Sequence, residues 1–307
     1  HKSTLIAEID QSTSCLQHVA LNCGDRDLAS RVNLGPDYHD VYQEIADSIE
    51  ELSDLKESER RKLVKMALVP WTYGGNAWTA CQAYHKSDMS YLKGKTTSER
   101  LKLANRVIKA IEAELPSAVG FRDEYQEQID FRWEHTPERN AIWKTPSGFT
   151  AYVFRQKTDE RRVYIWNEGK GEGEDRDETV KATAYEPNST PNKAKIRTAH
   201  PPNYVHSIDA AVMHLVMAYT PEDQSCLGVH DALGTHVRDV KDAQDRFRSA
   251  FHYVYSKAHP AVMQQGFLEP IPPGLADPTV DYGYDDEARL IDPEFLAEIA
   301  KAPHMTS

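Results

Sequence analysis

Ser225-Cys226-Leu227-Gly228-Val229-His230-Asp231-Ala232-Leu233-Gly234-Thr235-His236-Val237 reads as two short apolar strands joined by a His-Asp turn. Such a hairpin carries one carboxylate at its tip, braced by apolar residues on both sides and free to face a cleft. Asp is also an ordinary turn former, so Asp231 alone assigns no chemistry. Its meaning depends on whether a second carboxylate and a basic helix accompany it elsewhere in the chain.

A second carboxylate stands near the start. Leu5 to Ile9 is a short apolar run that ends at Asp10, followed by Gln11-Ser12-Thr13-Ser14 and then Cys15-Leu16-Gln17-His18-Val19-Ala20-Leu21. The pattern predicts a buried strand that delivers Asp10 at its C-terminal end and then enters a helix, for which Asp10 or Ser12 could equally be the N-cap. The basic helix follows Ser58, with Arg60, Arg61, Lys62 and Lys65 leading into Met66-Ala67-Leu68-Val69-Pro70-Trp71-Thr72 and then Tyr73-Gly74-Gly75. Arg61 and Lys65 are four residues apart, so one helix face presents both and they can grip a phosphate chain together. Pro70 is expected to kink this helix, because it removes a hydrogen bond, and the two glycines are expected to end it.

Elsewhere the periodicity is plainer. Val41, Ile45, Ile49 and Leu52 predict an amphipathic helix over 37–52, and helical spacing resumes over 76–92. Leu101, Ala104, Val107, Ile108, Ile111 and Leu115 predict a long helix from Thr97. Residues 142–149, 151–155 and 162–166 read as a strand with its turn and two further strands, and Asn167 to Asp177 as an exposed acidic and Gly-rich loop. Pro201-Pro202-Asn203 are expected to stop the chain and start a helix with His206 in its first turn, where a structural histidine is the plainer assignment. An amphipathic helix is expected over 239–256. The segment from Gly274 holds eight anions against Arg289 and Lys301 and reads as an acidic tail.

The composition of the 307 residues is that of a globular protein, 40% hydrophobic and 27% charged, with no apolar run near the roughly 18 residues of a membrane span. Cys15, Cys23, Cys81 and Cys226 form no Cys-x-x-Cys pair, which argues against a zinc site or a disulfide scaffold and suits a reducing compartment. The net charge of -12 argues, taken whole, against a nucleic-acid partner. The window from Lys56 to Lys109 reverses that, with twelve cations against four anions. A local basic surface can attract a polyanion despite an acidic body, since screening confines each field to roughly 8–10 Å. The opening His1-Lys2-Ser3 has no signal-peptide character and reads as the interior of a longer polypeptide.

Taken in order, Asp10 after a strand, Arg61-x3-Lys65-x7-Tyr73-Gly74 on a basic helix, and His230-Asp231 on a hairpin make a specific constellation. With Asp10-x-Ser12-x4-Gln17-His18, Trp143-x-Thr-Pro-x-Gly-Phe149, Asn203-Tyr204-Val205-His206-Ser207-x-Asp209 and His230-Asp231-x2-Gly234-Thr235, the chain resembles the C-terminal part of the single-subunit RNA polymerases of bacteriophages and mitochondria. The resemblance implies an α+β fold: a Pol I-like palm, a small antiparallel sheet with packed helices, beside a mainly helical fingers subdomain. It also implies DNA-directed ribonucleotidyl transfer with two Mg²⁺ ions, on Asp10 and Asp231 as metal ligands. Arg61 and Lys65 would hold the triphosphate, Tyr73 and Gly74 would sit beside the incoming nucleotide, and His206 would reach the ribose 2′-hydroxyl. Ser12, Gln17, His18, Asn203, Ser207 and His230 would support them.

By the same resemblance, residues 1–36 and 201–270 would be palm, 37–140 fingers, 141–200 a strand-rich segment and 271–307 a tail. The implied partners are a DNA template, the RNA product and ribonucleoside triphosphates, with an upstream N-terminal and thumb region or a separate subunit completing the enzyme, and no membrane. The implied compartment is the cytoplasm of a phage host or, alternatively, the mitochondrial matrix. A family A-like DNA polymerase is the nearest rival. Such enzymes usually carry Glu five residues after the first catalytic Asp and directly after the last, positions held here by Cys15 and Ala232. A non-catalytic nucleic-acid-binding module derived from a polymerase is a further alternative. Cys15 departs from the polymerase pattern's usual Gly, Ala232 from its usual Ser, and Pro70-Trp71-Thr72 from the small apolar residues that usually precede Tyr-Gly.

Overall fold

The computed structural model describes residues 5–135, 141–167, 178–229, 231–257 and 293–306. A three-stranded antiparallel sheet packs against the helical body, in the order β1 (Ile6–Ile9), β7 (Ala232–His236), β6 (Cys226–Val229). Its register pairs Ile9 with Leu233 and Val229 with Ala232, so the chain ends leaving β1 and turning between β6 and β7 meet at the same side of the sheet. One face of the sheet is apolar and buried: Ile9 and Leu233 are both almost wholly covered.

Helices form the remainder of the body: α1 (Ser14–Asn22), α2 (Arg26–Ala29), α3 (Val41–Asp47), α4 (Glu57–Thr72), α5 (Ala77–Lys86), α6 (Thr97–Glu114), α7 (Pro116–His135), α8 (Lys193–Ala218), α9 (Val240–Lys257) and a last helix Pro293–Ile299. Their starts are chemically marked. Asp40 caps α3 by accepting from the backbone of Tyr42 and Gln43, and reciprocal capping boxes open α5 at Asn76/Thr79 and α6 at Thr96/Glu99. The buried stripes of α4 and α6, Leu63, Val64, Ala67 and Leu68 against Leu103, Ala104, Val107 and Ile111, repeat at three- and four-residue spacing. Among the described residues no helix is long and apolar enough to cross a membrane.

Several elements differ from their sequence expectations. The helix expected over 37–52 is confined to Val41–Asp47, with a 3-10 turn at Glu50–Leu52, and the one over 76–92 ends at Lys86 with a second 3-10 turn at Ser90–Leu92. The basic helix α4 continues through Pro70 and ends before Tyr73 and the two glycines. Pro201 and Pro202 start nothing: α8 begins eight residues earlier, capped by Asn192, and runs through both rings. Each proline withdraws one N–H from the helix ladder, and burial of both rings against neighbouring helices offsets the loss. His206 therefore lies in the middle of α8, not in its first turn.

The strand-rich segment forms two separate hairpins. Strands β2 (Ala141–Lys144) and β3 (Thr150–Val153) pair as one. The segment expected as a strand at 162–166 is part of the longer β4 (Gln156–Asn167), whose partner β5 (Glu178–Pro191) was not expected. The loop placed from 167 to 177 lies, beyond Asn167, outside the described residues. Within the expected acidic tail, residues 293–306 pack onto the core through Phe295, Leu296, Ile299, Ala302 and Met305.

Candidate active site

Asp10 leaves the end of β1, and Asp231 occupies the turn into β7. Because Ile9 faces Leu233 in the sheet, both carboxylates emerge beside one another. They line one cleft of about 670 Å³ with Ser12, Tyr42, Lys65 and Tyr73. Partial burial raises the Asp10 carboxyl above its ordinary range; the charge of Asp231 adds to the rise, while the backbone N–H of Gln11 and the cation of Lys65 act against it. Two like-charged carboxylates at the edge of an open cleft are a hard-oxygen donor set that fits Mg²⁺, which takes few protein ligands and completes its shell with water and phosphate oxygens. Among the described residues, no group of three or more His, Cys, Asp or Glu is arranged to enclose a metal.

The cations come from α4. Lys65 is exposed and lines the cleft, and the neighbouring recess of about 850 Å³ is shared by Asp10, Lys65 and Arg61. Both side chains lie over the ring of Tyr42, Arg61 at 5.2 Å and Lys65 at 5.5 Å from its centroid, so the i, i+4 spacing does place them on one face. Arg61 is also tied to Asp40, Nε to Oδ2 at 2.5 Å, and this bond raises its already high pKa further. Asp40 accepts with Oδ1 from the first turn of α3 and with Oδ2 from Arg61, which fixes the guanidinium beside the recess.

Tyr73 follows the last turn of α4 and stacks on His206 of α8, with ring centroids 4.5 Å apart and planes within 11°. Burial keeps the Tyr73 phenol protonated far above neutrality. Gly74 has φ of +80°, and a Cβ there would stand 3.0 Å from the Thr198 carbonyl oxygen. That oxygen is the one from which Pro202 withholds a helix N–H. Gly74 lines a separate, apolar cavity of about 400 Å³ together with Cys15, Trp71, Pro201 and Pro202.

Of the supporting residues, Gln17, His18 and Ser207 are buried. Gln17 donates from Nε2 to Ser12 Oγ, the Val32 carbonyl and the Met305 carbonyl, and the backbone N–H of Ser12 donates to Met305 as well. His18, wholly buried, contacts Asp209 through Nε2 at 2.6 Å and the Tyr255 hydroxyl through Nδ1 at 2.5 Å. Ser207 accepts from Trp143 Nε1 and donates to the Tyr204 carbonyl, while Asn203 donates to the Ala199 carbonyl within α8. Neither of the last two lines the cleft, and His230 lies outside the described residues.

Sequence reasoning left out Asp40, Tyr42, Gln11, Ser14, Asp209, Tyr255 and the stretch around Met305. Asp40 had a signal, an Asp directly ahead of an apolar helical period, and Asp209 stood inside a quoted motif. Tyr255 and Met305 had none, since their role depends on contacts across more than two hundred residues.

The sequence model of the family described as DNA-dependent RNA polymerase matches residues 1–273. Among curated proteins, the chain is 27% identical over 306 residues to the mitochondrial DNA-directed RNA polymerase of Schizosaccharomyces pombe, covering 85% of this chain and 24% of that protein. It is 25% identical over 273 residues to the mitochondrial DNA-directed RNA polymerase of Mus musculus, covering 81% of this chain and 21% of that protein. The chain thus spans less than a quarter of the length of these two relatives.

Proposed function

Since the chain belongs to the DNA-dependent RNA polymerase family, we propose that it carries the centre for template-directed ribonucleotidyl transfer, with a DNA template, an RNA product and ribonucleoside triphosphates as partners. The supporting observation is that Asp10, Asp231, Lys65 and Tyr73, remote in sequence, line one cleft. In this proposal β1, β6 and β7 with α1, α8 and α9 are the palm, and the helices over 37–140 are the fingers.

Asp10 and Asp231 would hold the divalent ions. The chemistry that two Mg²⁺ ions supply when bound is activation of the attacking 3′-hydroxyl and stabilisation of the leaving pyrophosphate. Lys65 and Arg61 bind the triphosphate and offset the charge that develops on it. Tyr42 beneath them holds both cations above one aromatic face. Tyr73 packs against the incoming nucleotide, and His206, stacked on it, meets the 2′-hydroxyl. Because both relatives are mitochondrial enzymes by name, the mitochondrial matrix is favoured over the cytoplasm of a phage host.

Extension of a labelled RNA primer on a DNA template with Mg²⁺, supplying ribo- or deoxyribonucleotides, tests this for the chain alone and within any longer polypeptide that contains it. Extension by ribonucleotides only is expected. Equal use of deoxyribonucleotides would favour a DNA polymerase, and no extension in either form would favour a binding module.

A further inference from the structure

We propose that Asp209 is the positioning residue of this centre, a buried carboxylate that locks the segment after Asp10 to the helix carrying His206; the proposal rests on the polymerase function above. Asp209 is only 5% exposed and stands one helical turn beyond His206 on α8. Its Oδ2 accepts from Ser14 Oγ at 2.5 Å, and its Oδ1 accepts from Gln11 Nε2 at 3.0 Å and pairs with His18 Nε2 at 2.6 Å. All three partners belong to the eight residues that follow Asp10, and Gln11 is its immediate neighbour. His18 extends the chain of bonds to the Tyr255 hydroxyl on α9 and stacks on Phe251 at 4.9 Å.

A buried charge is costly, and the cost is offset only when its lone pairs are used with good geometry. Holding α1 against α8 does not require one, because apolar side chains, Leu16 and Val19 from α1 and Val205 from α8, already line the cavity between them. The carboxylate adds direction: it fixes the backbone that presents Asp10 relative to the Tyr73–His206 stack. Asp209 thereby sets the spacing between the metal-holding carboxylate and the group that meets the ribose. Discrimination between ribose and deoxyribose depends on that spacing, because a misplaced 2′-hydroxyl forfeits its contact while the rest of the nucleotide still binds.

Single-nucleotide incorporation by the polypeptide that contains this chain tests the proposal, with kcat and KM measured for a ribonucleotide and its deoxyribonucleotide in wild type, Asp209→Asn and Ser14→Ala. Asn keeps the shape but offers one accepting oxygen in place of two. The ratio of kcat/KM for ribo over deoxyribo substrate is expected to fall by about tenfold in Asp209→Asn, the size of one lost bond to a charged group, with template affinity unchanged. Ser14→Ala removes one donor and leaves the His18 pair, so a smaller fall in the same direction is expected. It carries the test if Asp209→Asn fails to fold. A merely structural role would lower the melting temperature or the active fraction, neither of which alters the ratio. Ratios within about twofold of wild type in the variants that fold would overturn the proposal while leaving the polymerase function standing. A wild type that shows no preference for ribonucleotides would overturn both.

Discussion

At the scale of single residues, the cleft separates groups by charge and by task. Lys65 is exposed and rests on Tyr42, so its removal is expected to leave the fold intact and to take away only the phosphate contact proposed for it. Lys65→Ala is expected to raise KM for the nucleotide about tenfold or more, with template affinity unchanged in an anisotropy titration. An equal loss of both would assign Lys65 to the template. Asp10 and Asp209 carry opposite shifts. Burial raises both, but His18, Ser14 and Gln11 hold the Asp209 carboxyl below its ordinary range, whereas the Asp231 charge adds to the rise at Asp10. A carboxyl raised on folding costs stability as pH climbs through its folded value, because the native state gives up its proton last. Asp10→Asn is therefore expected to melt above wild type near neutral pH, with the gap closing as pH falls below about 4, where both states are protonated. Thermal melts from pH 3 to 8 check it; a gap that widens in acid contradicts it. The carboxylates and cations were legible because their residue types and order carry the chemistry. The partners of Asp40, Tyr42 and Asp209 were not, because which neighbour each one holds is set only by the fold.

Among the elements, the hairpin β6–β7 and strand β1 follow directly from short apolar runs ending in Asp, although β1 is buried at Ile9 and not along its whole length as expected, and α4 and α6 follow from their three- and four-residue periods. Local pattern failed where tertiary burial overrode it. Two consecutive prolines read as a stop, yet α8 passes through them because both rings are buried. Strand β5 alternates over Thr179 to Ala184, but two of its apolar positions there are alanines and its second half holds Pro187 and Pro191, so it resembles a loop; a two-stranded hairpin with an open edge tolerates both prolines. Gly75, unlike Gly74, was read only as a breaker. Gly75 does more, since a Cβ there would lie 2.5 Å from the Pro70 carbonyl oxygen, which itself accepts from the Gly75 N–H. Gly75→Ala must shift backbone next to Tyr73, and a loss of roughly 1–3 kcal/mol in unfolding free energy is expected, with a drop in nucleotide affinity. A denaturant titration showing no loss would mean that the turn is freer than its contacts indicate.

For the whole molecule, charge is the feature most easily misjudged from totals. The chain is acidic at -12, but twelve of its 36 Lys and Arg lie between Lys56 and Lys109, and two of these, Arg61 and Lys65, reach the cleft and its neighbouring recess. The other long-range feature is closure at the first motif, where Met305 accepts from Ser12 and Gln17 and Thr306 bridges to Gln11. No local pattern foretells that contact. Within this frame the two distant carboxylates, Asp10 and Asp231, are proposed to form one catalytic pair. The most direct test is Mg²⁺-dependent RNA primer extension by wild type, Asp10→Asn and Asp231→Asn, each verified as folded by its melting curve. Wild-type synthesis that falls by at least about a thousandfold in both variants is the expected result, as for loss of a group on which transition-state stabilisation depends. Near-normal synthesis by either variant would contradict the claim.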